Sequence, residues 1–97
     1  MAYRVDLSPD ASREIDRFLE GLRMYSFQTA EKYQFALQEM IDTYLVRTPT
    51  FFQRHPKPDG PYYRLLFQIS PRTTYWVEYR VFEQERVVRV VRFRQNE

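Results

Sequence analysis

The spacing of apolar positions changes along the 97-residue chain, and each change marks an element. Tyr3-Arg-Val-Asp-Leu7 alternates with period two, the pattern of a short half-buried strand. Ala11, Ile15, Phe18, Leu19 and Leu22 then recur at helical spacing. Ser8 stands where a hydroxyl accepts from the first free N–H groups of that helix, and Pro9 suits its first position. Gly21 is expected to help end it. A second helix is predicted from about Phe27 to Arg47, with a face of Ala30, Tyr33, Leu37, Met40, Ile41, Tyr44 and Leu45. Pro49 ends it, and the short connection around Arg23–Ser26 predicts an antiparallel hairpin.

Period two returns in Tyr62–Ile69, Thr73–Phe82 and Arg86–Phe93. The links Ser70-Pro71-Arg72 and Glu83-Gln84-Glu85 are short enough only for antiparallel neighbours. Before them, "PTFFQRHPKPDGP" carries four of the six prolines, which excludes helix and central strand. Phe51 and Phe52 are expected to pin this irregular stretch to the core. The predicted order is β-α-α-β-β-β, an α+β fold in one domain spanning residues 1–97. Its antiparallel helical hairpin packs on one face of a small, twisted, mainly antiparallel sheet.

Each strand has two faces. Tyr63, Leu65, Phe67 and Ile69 oppose Tyr62, Arg64, Leu66 and Gln68. Tyr75, Val77, Tyr79 and Val81 oppose Thr74, Trp76, Glu78, Arg80 and Phe82. In the closing "RVVRVVRFR", strict alternation puts Arg86, Val88, Val90, Arg92 and Arg94 on one face and Val87, Arg89, Val91 and Phe93 on the other. Two helices cover one side of such a sheet, so the other side is expected to be an open, aromatic and arginine-bearing binding face.

Charge sharpens this picture. The net charge is only +2. Residues 1–48 hold six Lys/Arg against eight Asp/Glu, net −2, whereas residues 49–97 hold nine against five, net +4. The basic half is the strand-forming half, a distribution that attracts nucleic acid or an acidic partner. With 43% hydrophobic and 18% aromatic residues the chain can fill a core. The absence of cysteine excludes disulfides and thiolate metal sites and permits a reducing cytoplasm. No apolar run reaches the ~20 residues of a membrane span. "MAYRVDLSPD" has charges where a signal peptide needs an apolar segment, so a cytoplasmic location is expected.

Most catalytic classes lack their residues. One His and no Cys give no metal cluster, and Gly21 and Gly60 stand apart, so no glycine-rich phosphate cradle exists. Asp10 with Glu14, and Glu39 with Asp42, have helical spacing and read as solvated charge. Neither metal nor cofactor is implied. What remains is an arginine–tyrosine inventory with His55 and Lys57. Guanidinium groups bind phosphate bidentately, and His55 has the intrinsic pKa for proton transfer, although a single loop histidine is more often surface.

"YRVDLSPDASREID", "YYRLLFQIS", "YWVEYRV" and "VVRVVRFR", in this order and across nearly the whole chain, resemble the RelE/ParE superfamily of type II toxin–antitoxin toxins. The resemblance implies a cytoplasmic bacterial toxin held inactive by a cognate antitoxin, with no membrane partner. RelE-like members cut mRNA in the ribosomal A site, and ParE-like members poison DNA gyrase. Arg64 matches the superfamily's Tyr-Arg position, and Arg94 the arginine just past the last strand. The catalytic Tyr or His expected beyond that arginine is replaced by Gln95-Asn96-Glu97, and the mid-chain lysine pair is reduced to Lys57. These departures and the long hairpin favour the ParE-like gyrase poison over the RelE-like endoribonuclease. Arg64, Arg92, Arg94, Trp76 and Arg80 are the expected target- or antitoxin-binding residues. Arg64, Arg94, His55 and Lys57 are the catalytic candidates if the protein is a nuclease.

Overall fold

A computed structural model describes residues 2–58 and 60–96. The elements are β1 (Arg4–Leu7), α1 (Pro9–Tyr25), α2 (Phe27–Met40), a π-helical turn (Ile41–Leu45), β2 (Gln53–His55), β3 (Tyr62–Ser70), β4 (Thr73–Phe82) and β5 (Val87–Gln95). The fold is α+β, two helices packed on a five-stranded mixed sheet of order β1-β5-β4-β3-β2. β1 runs parallel to β5, and every other pairing is antiparallel.

The helices begin and end as local chemistry dictates. Ser8 caps α1, its hydroxyl accepting from the Ala11 N–H at 3.1 Å, with Pro9 in the first turn. Gly21 does not end the helix. It is exposed and interior to α1, which continues to Tyr25. A single extended residue, Ser26, does the work instead. Its N–H donates to the Leu22 carbonyl at 2.7 Å, closing α1, and its hydroxyl accepts from Thr29 at 3.2 Å, opening α2. Phe18 and Tyr33 lie roughly two turns on either side of it and their rings meet at 6.4 Å, so the helices form an antiparallel hairpin. The second helical segment changes to π geometry at Ile41, one residue past the end of α2.

The proline-rich stretch forms one strand more than expected. Gln53–His55 pairs with Tyr62–Arg64 as a three-residue edge strand. Pro56 follows at once and cannot donate to a ladder, which keeps β2 short and at the edge. Phe52 packs against the core and on Tyr44 at 5.4 Å. Phe51 is 81% exposed and among the described residues its ring meets only that of Phe52, at 5.5 Å, so it does not itself reach the core. β5 starts at Val87, one residue later than predicted, because Arg86 has a φ of 56° in the β4–β5 turn. That left-handed conformation is compatible with a turn and not with a strand. The Arg86 guanidinium lies 5.1 Å from the Tyr3 ring, whose hydroxyl donates to Glu83 at 2.8 Å.

One core joins Ala11, Ile15, Leu19, Leu37, Met40 and Leu45 of the helical layer to Leu65, Phe67, Val77, Tyr79, Val88, Val90 and Phe93 of the sheet. The helices therefore cover the Leu65–Val77 face. The Tyr33 hydroxyl donates to the Ile69 carbonyl at 2.8 Å, fastening α2 to the end of β3. Tyr79 is fully buried, stacks on Tyr63 at 5.5 Å and donates to the Pro49 carbonyl at 2.5 Å. That bond ties the segment after the helices to the middle of the sheet.

Burial pushes the Tyr79 phenol well above its ordinary value of 10.0, and the neighbouring Tyr63 adds to the shift. The folded state thus holds the neutral phenol, and the unfolded chain ionises first. Stability from this group is complete below pH 10 and declines as pH rises above it. Tyr79→Phe should lower the unfolding free energy at neutral pH by about 1–3 kcal/mol, because a buried carbonyl loses its donor. The variant should also lose stability less steeply than the parent above pH 10. Urea titrations at several pH values measure both, and parallel pH profiles would contradict the assignment.

Candidate functional site

The face opposite the helices is set by an irregularity in β5. Tyr79 pairs with Val90, but Glu78 pairs with Arg92, so Val91 is one residue more than β4 can match. This β-bulge inverts the alternation beyond it. Strict period two puts Arg92 and Arg94 beside Val88 and Val90. In the structure Phe93 takes the core side opposite Val77, while Arg92 and Arg94 move to the side of Arg89.

Ser8 holds the bulge. Its N–H donates to the Val90 carbonyl at 2.8 Å and its hydroxyl donates to the Val91 carbonyl at 3.1 Å. The residue that starts α1 thus also positions the arginines that follow. β1 ends opposite Val90, and beyond it Glu14 of α1 takes over the free edge, accepting from the Phe93 N–H at 2.9 Å.

Cross-strand rows order the uncovered face. Leu66, Trp76 and Arg94 form one row, Arg64, Glu78 and Arg92 the next, and Arg80 pairs with Arg89 in a third. All five expected binding residues (Arg64, Trp76, Arg80, Arg92 and Arg94) share this face. Arg64 and Arg94 stand on strands two places apart, a lateral separation of about 10 Å.

Within the face there are two groups. In the first, Tyr62 is only 9% exposed although no helix covers it. The His55 ring stacks on it at 5.2 Å, the Lys57 ammonium lies 5.0 Å from its centroid and the Arg64 guanidinium 5.8 Å. Arg64 also sits 5.1 Å from the Trp76 ring and 4.0 Å from Glu78. It bridges two aromatic faces, an arrangement that suits a planar delocalised cation. Three of the four nuclease candidates, His55, Lys57 and Arg64, therefore converge on Tyr62. The fourth, Arg94, does not join them.

In the second group Arg92 and Arg94 turn to the start of α1. Arg92 lies 3.2 Å from Glu14 and 3.6 Å from Asp10, and Arg94 lies 3.8 Å from Glu14. Asp10 also pairs with Arg13. Glu14, with a side chain only 20% exposed, is not merely solvated charge. A hint was present in the sequence: Glu14 stands three residues after Ala11 and four before Phe18, at the border of the apolar stripe. Nothing in the spacing indicated that the stripe's border would meet a strand edge.

Between the groups lies an open basin of about 540 Å³ with Lys57, Arg80, Arg89 and Arg92 in its wall, opposed by Asp10 and Glu78. Such a surface recognises anions and flat groups. For acid–base work it is poorly arranged. His55 Nε2 is shut from solvent with no hydrogen-bond partner, and its ring is committed to Tyr62. Among the described residues no three His, Cys, Asp or Glu side chains gather to hold a metal ion. No helix among them is long and apolar enough to cross a membrane.

Trp76 is the single tryptophan and reports on this face directly. Arg64→Ala should shift its emission to the red, since the covering guanidinium is removed, and should cost about 0.5–1 kcal/mol of stability. Arg64→Lys should restore part of both. An unshifted spectrum for the alanine variant would mean that Arg64 does not cover the ring.

No family model, curated protein or solved structure matches the chain.

Proposed function

We propose that the protein is a growth-inhibiting toxin of the RelE/ParE type, neutralised by a cognate antitoxin, whose arginine-bearing sheet face grips a protein target. DNA gyrase is the proposed target. The observation that carries this reading is the composition of the uncovered face. Arg64, Trp76, Arg80, Arg92 and Arg94 share it, while its one imidazole is stacked with Nε2 buried. A surface rich in cations and rings, without an exposed acid–base couple, fits a binding poison better than a nuclease. Cytoplasmic action follows from the same proposal, since gyrase and the antitoxin would be met there.

The convergence of His55, Lys57 and Arg64 on Tyr62 favours a second reading, a ribosome-dependent, metal-independent mRNA endoribonuclease. In that case Lys57 and Arg64 would hold the phosphate and Arg94 would stabilise charge at the end of β5. His55 would have to leave its stack to exchange a proton.

Induced expression without antitoxin should arrest growth, and purified protein should inhibit gyrase supercoiling and trap cleaved DNA. Arg64→Ala should weaken the inhibition roughly tenfold, the loss expected of an arginine at the centre of a contact. Primer extension on mRNA from the same cultures distinguishes the readings. New cuts at ribosomal A sites that vanish in Arg64→Ala, with gyrase untouched, would replace the first reading by the second. Normal growth under full expression would refute both.

A further inference from the structure

We infer that Glu14 is an internal counter-ion that occupies Arg92 and Arg94 in the free protein, and that an acidic peptide segment of a partner must displace it to bind them. The inference rests on the proposed use of the sheet face as a binding surface and adds a regulating contact to it.

The contact has the features of a resident mimic of such a peptide. Glu14 Oε2 lies 3.2 Å from Arg92 and 3.8 Å from Arg94, and Glu14 Oε1 accepts from the Phe93 N–H at 2.9 Å. A carboxylate that engages two arginine side chains and a backbone donor at an open strand edge does what an acidic residue on an added peptide would do. Asp10 contributes a second carboxylate to Arg92 at 3.6 Å.

The occupation is also incomplete. Two of the three ion-pair separations exceed hydrogen-bond length. Arg92 Nε is enclosed without an acceptor, so one donor of its fork is unused. Asp10 is shared with Arg13. A segment that supplies several carboxylates in sequence offers these donors more acceptors than α1 does. Carboxylates already hold the arginines, so an acidic peptide is the partner this chemistry favours over a nucleic acid.

The test uses the whole protein and a fluorescein-labelled oligoglutamate peptide, with fluorescence anisotropy at low and moderate salt. Glu14→Gln keeps an oxygen for the Phe93 N–H and removes the charge. It should bind the peptide roughly three- to tenfold more tightly at low salt, about the effect of two partly exposed ion pairs, and moderate salt should shrink the gain. Asp10→Asn, which makes no backbone contact of this kind, should give a smaller gain and covers the case in which Glu14→Gln does not fold. Glu20→Gln makes the same charge change on an exposed part of α1 and should do little.

The gain should disappear when Arg92 and Arg94 are both replaced by Gln. Unchanged or weaker binding by the folded Glu14 or Asp10 variant would overturn the inference. So would a gain that persists without the two arginines, or one seen only with a single-stranded oligonucleotide of equal length. If the parent binds the peptide no better than the Arg92→Gln/Arg94→Gln protein, the binding-surface proposal itself fails. If the parent binds better and Glu14→Gln adds nothing, only the counter-ion role fails.

Discussion

Where the charge of β5 goes depends on one unmatched residue. Val90 and Phe93 are both buried, at 1% and 3% exposure, although they stand three apart in a strand whose side chains alternate. The Val91 bulge reconciles them. Without it the helices would lie over Arg92 and Arg94, and desolvating two unpaired guanidinium groups costs several kcal/mol each. With it, Phe93 joins Phe18 at 5.3 Å and stacks on Tyr75 at 4.7 Å. Burial of such a ring contributes about 2–3 kcal/mol. The hydrophobic term and the electrostatic term therefore select the same bulge.

The bulge is also fastened from outside the hairpin it belongs to. β1 pairs in parallel with the first part of β5 and then stops at Leu7. Ser8 bonds the carbonyls of Val90 and Val91 while capping α1. Nearly two turns later, Glu14 satisfies the Phe93 N–H. The start of α1 therefore serves helix nucleation, strand-edge protection and arginine placement at once. These roles are compatible because the helix crosses the edge where β1 ends. An open edge would invite pairing with other chains, and the Glu14 carboxylate blunts it.

The uncovered face divides its cations by the kind of partner each already has. Arg64 rests between Tyr62 and Trp76, where ring quadrupoles hold it with the Glu78 carboxylate 4.0 Å away. Arg92 and Arg94 are held by carboxylates, Glu14 for both and Asp10 for Arg92. In the proposed mode of action, a target that presents anions meets Arg64 already oriented by its rings, while Arg92 and Arg94 exchange one carboxylate for another. On that proposal discrimination comes from competition, since weakly binding anions do not displace the resident carboxylates.

Much of the architecture was legible because it follows from local rules. The Ser8-Pro9 start of α1, the two helical stripes, the three long strands and the one-sided cover all follow from periodicity and capping, which act between residues close in sequence. The strand at Gln53–His55 was not legible, since three residues between prolines carry no period and pair only because Tyr62–Arg64 offers an edge. Gly21 misled because a glycine ends a helix only where the backbone must turn left-handed, and Ser26 ended α1 without that turn. The sequence by itself determined that arginines and rings would crowd the strands opposite a helical hairpin. Only the tertiary structure decided which arginines share a face and which carboxylates hold them. A bulge is settled by whether a strand fits its neighbours and the layer above it, and two of those partners, Ser8 and Glu14, lie some eighty positions away along the chain.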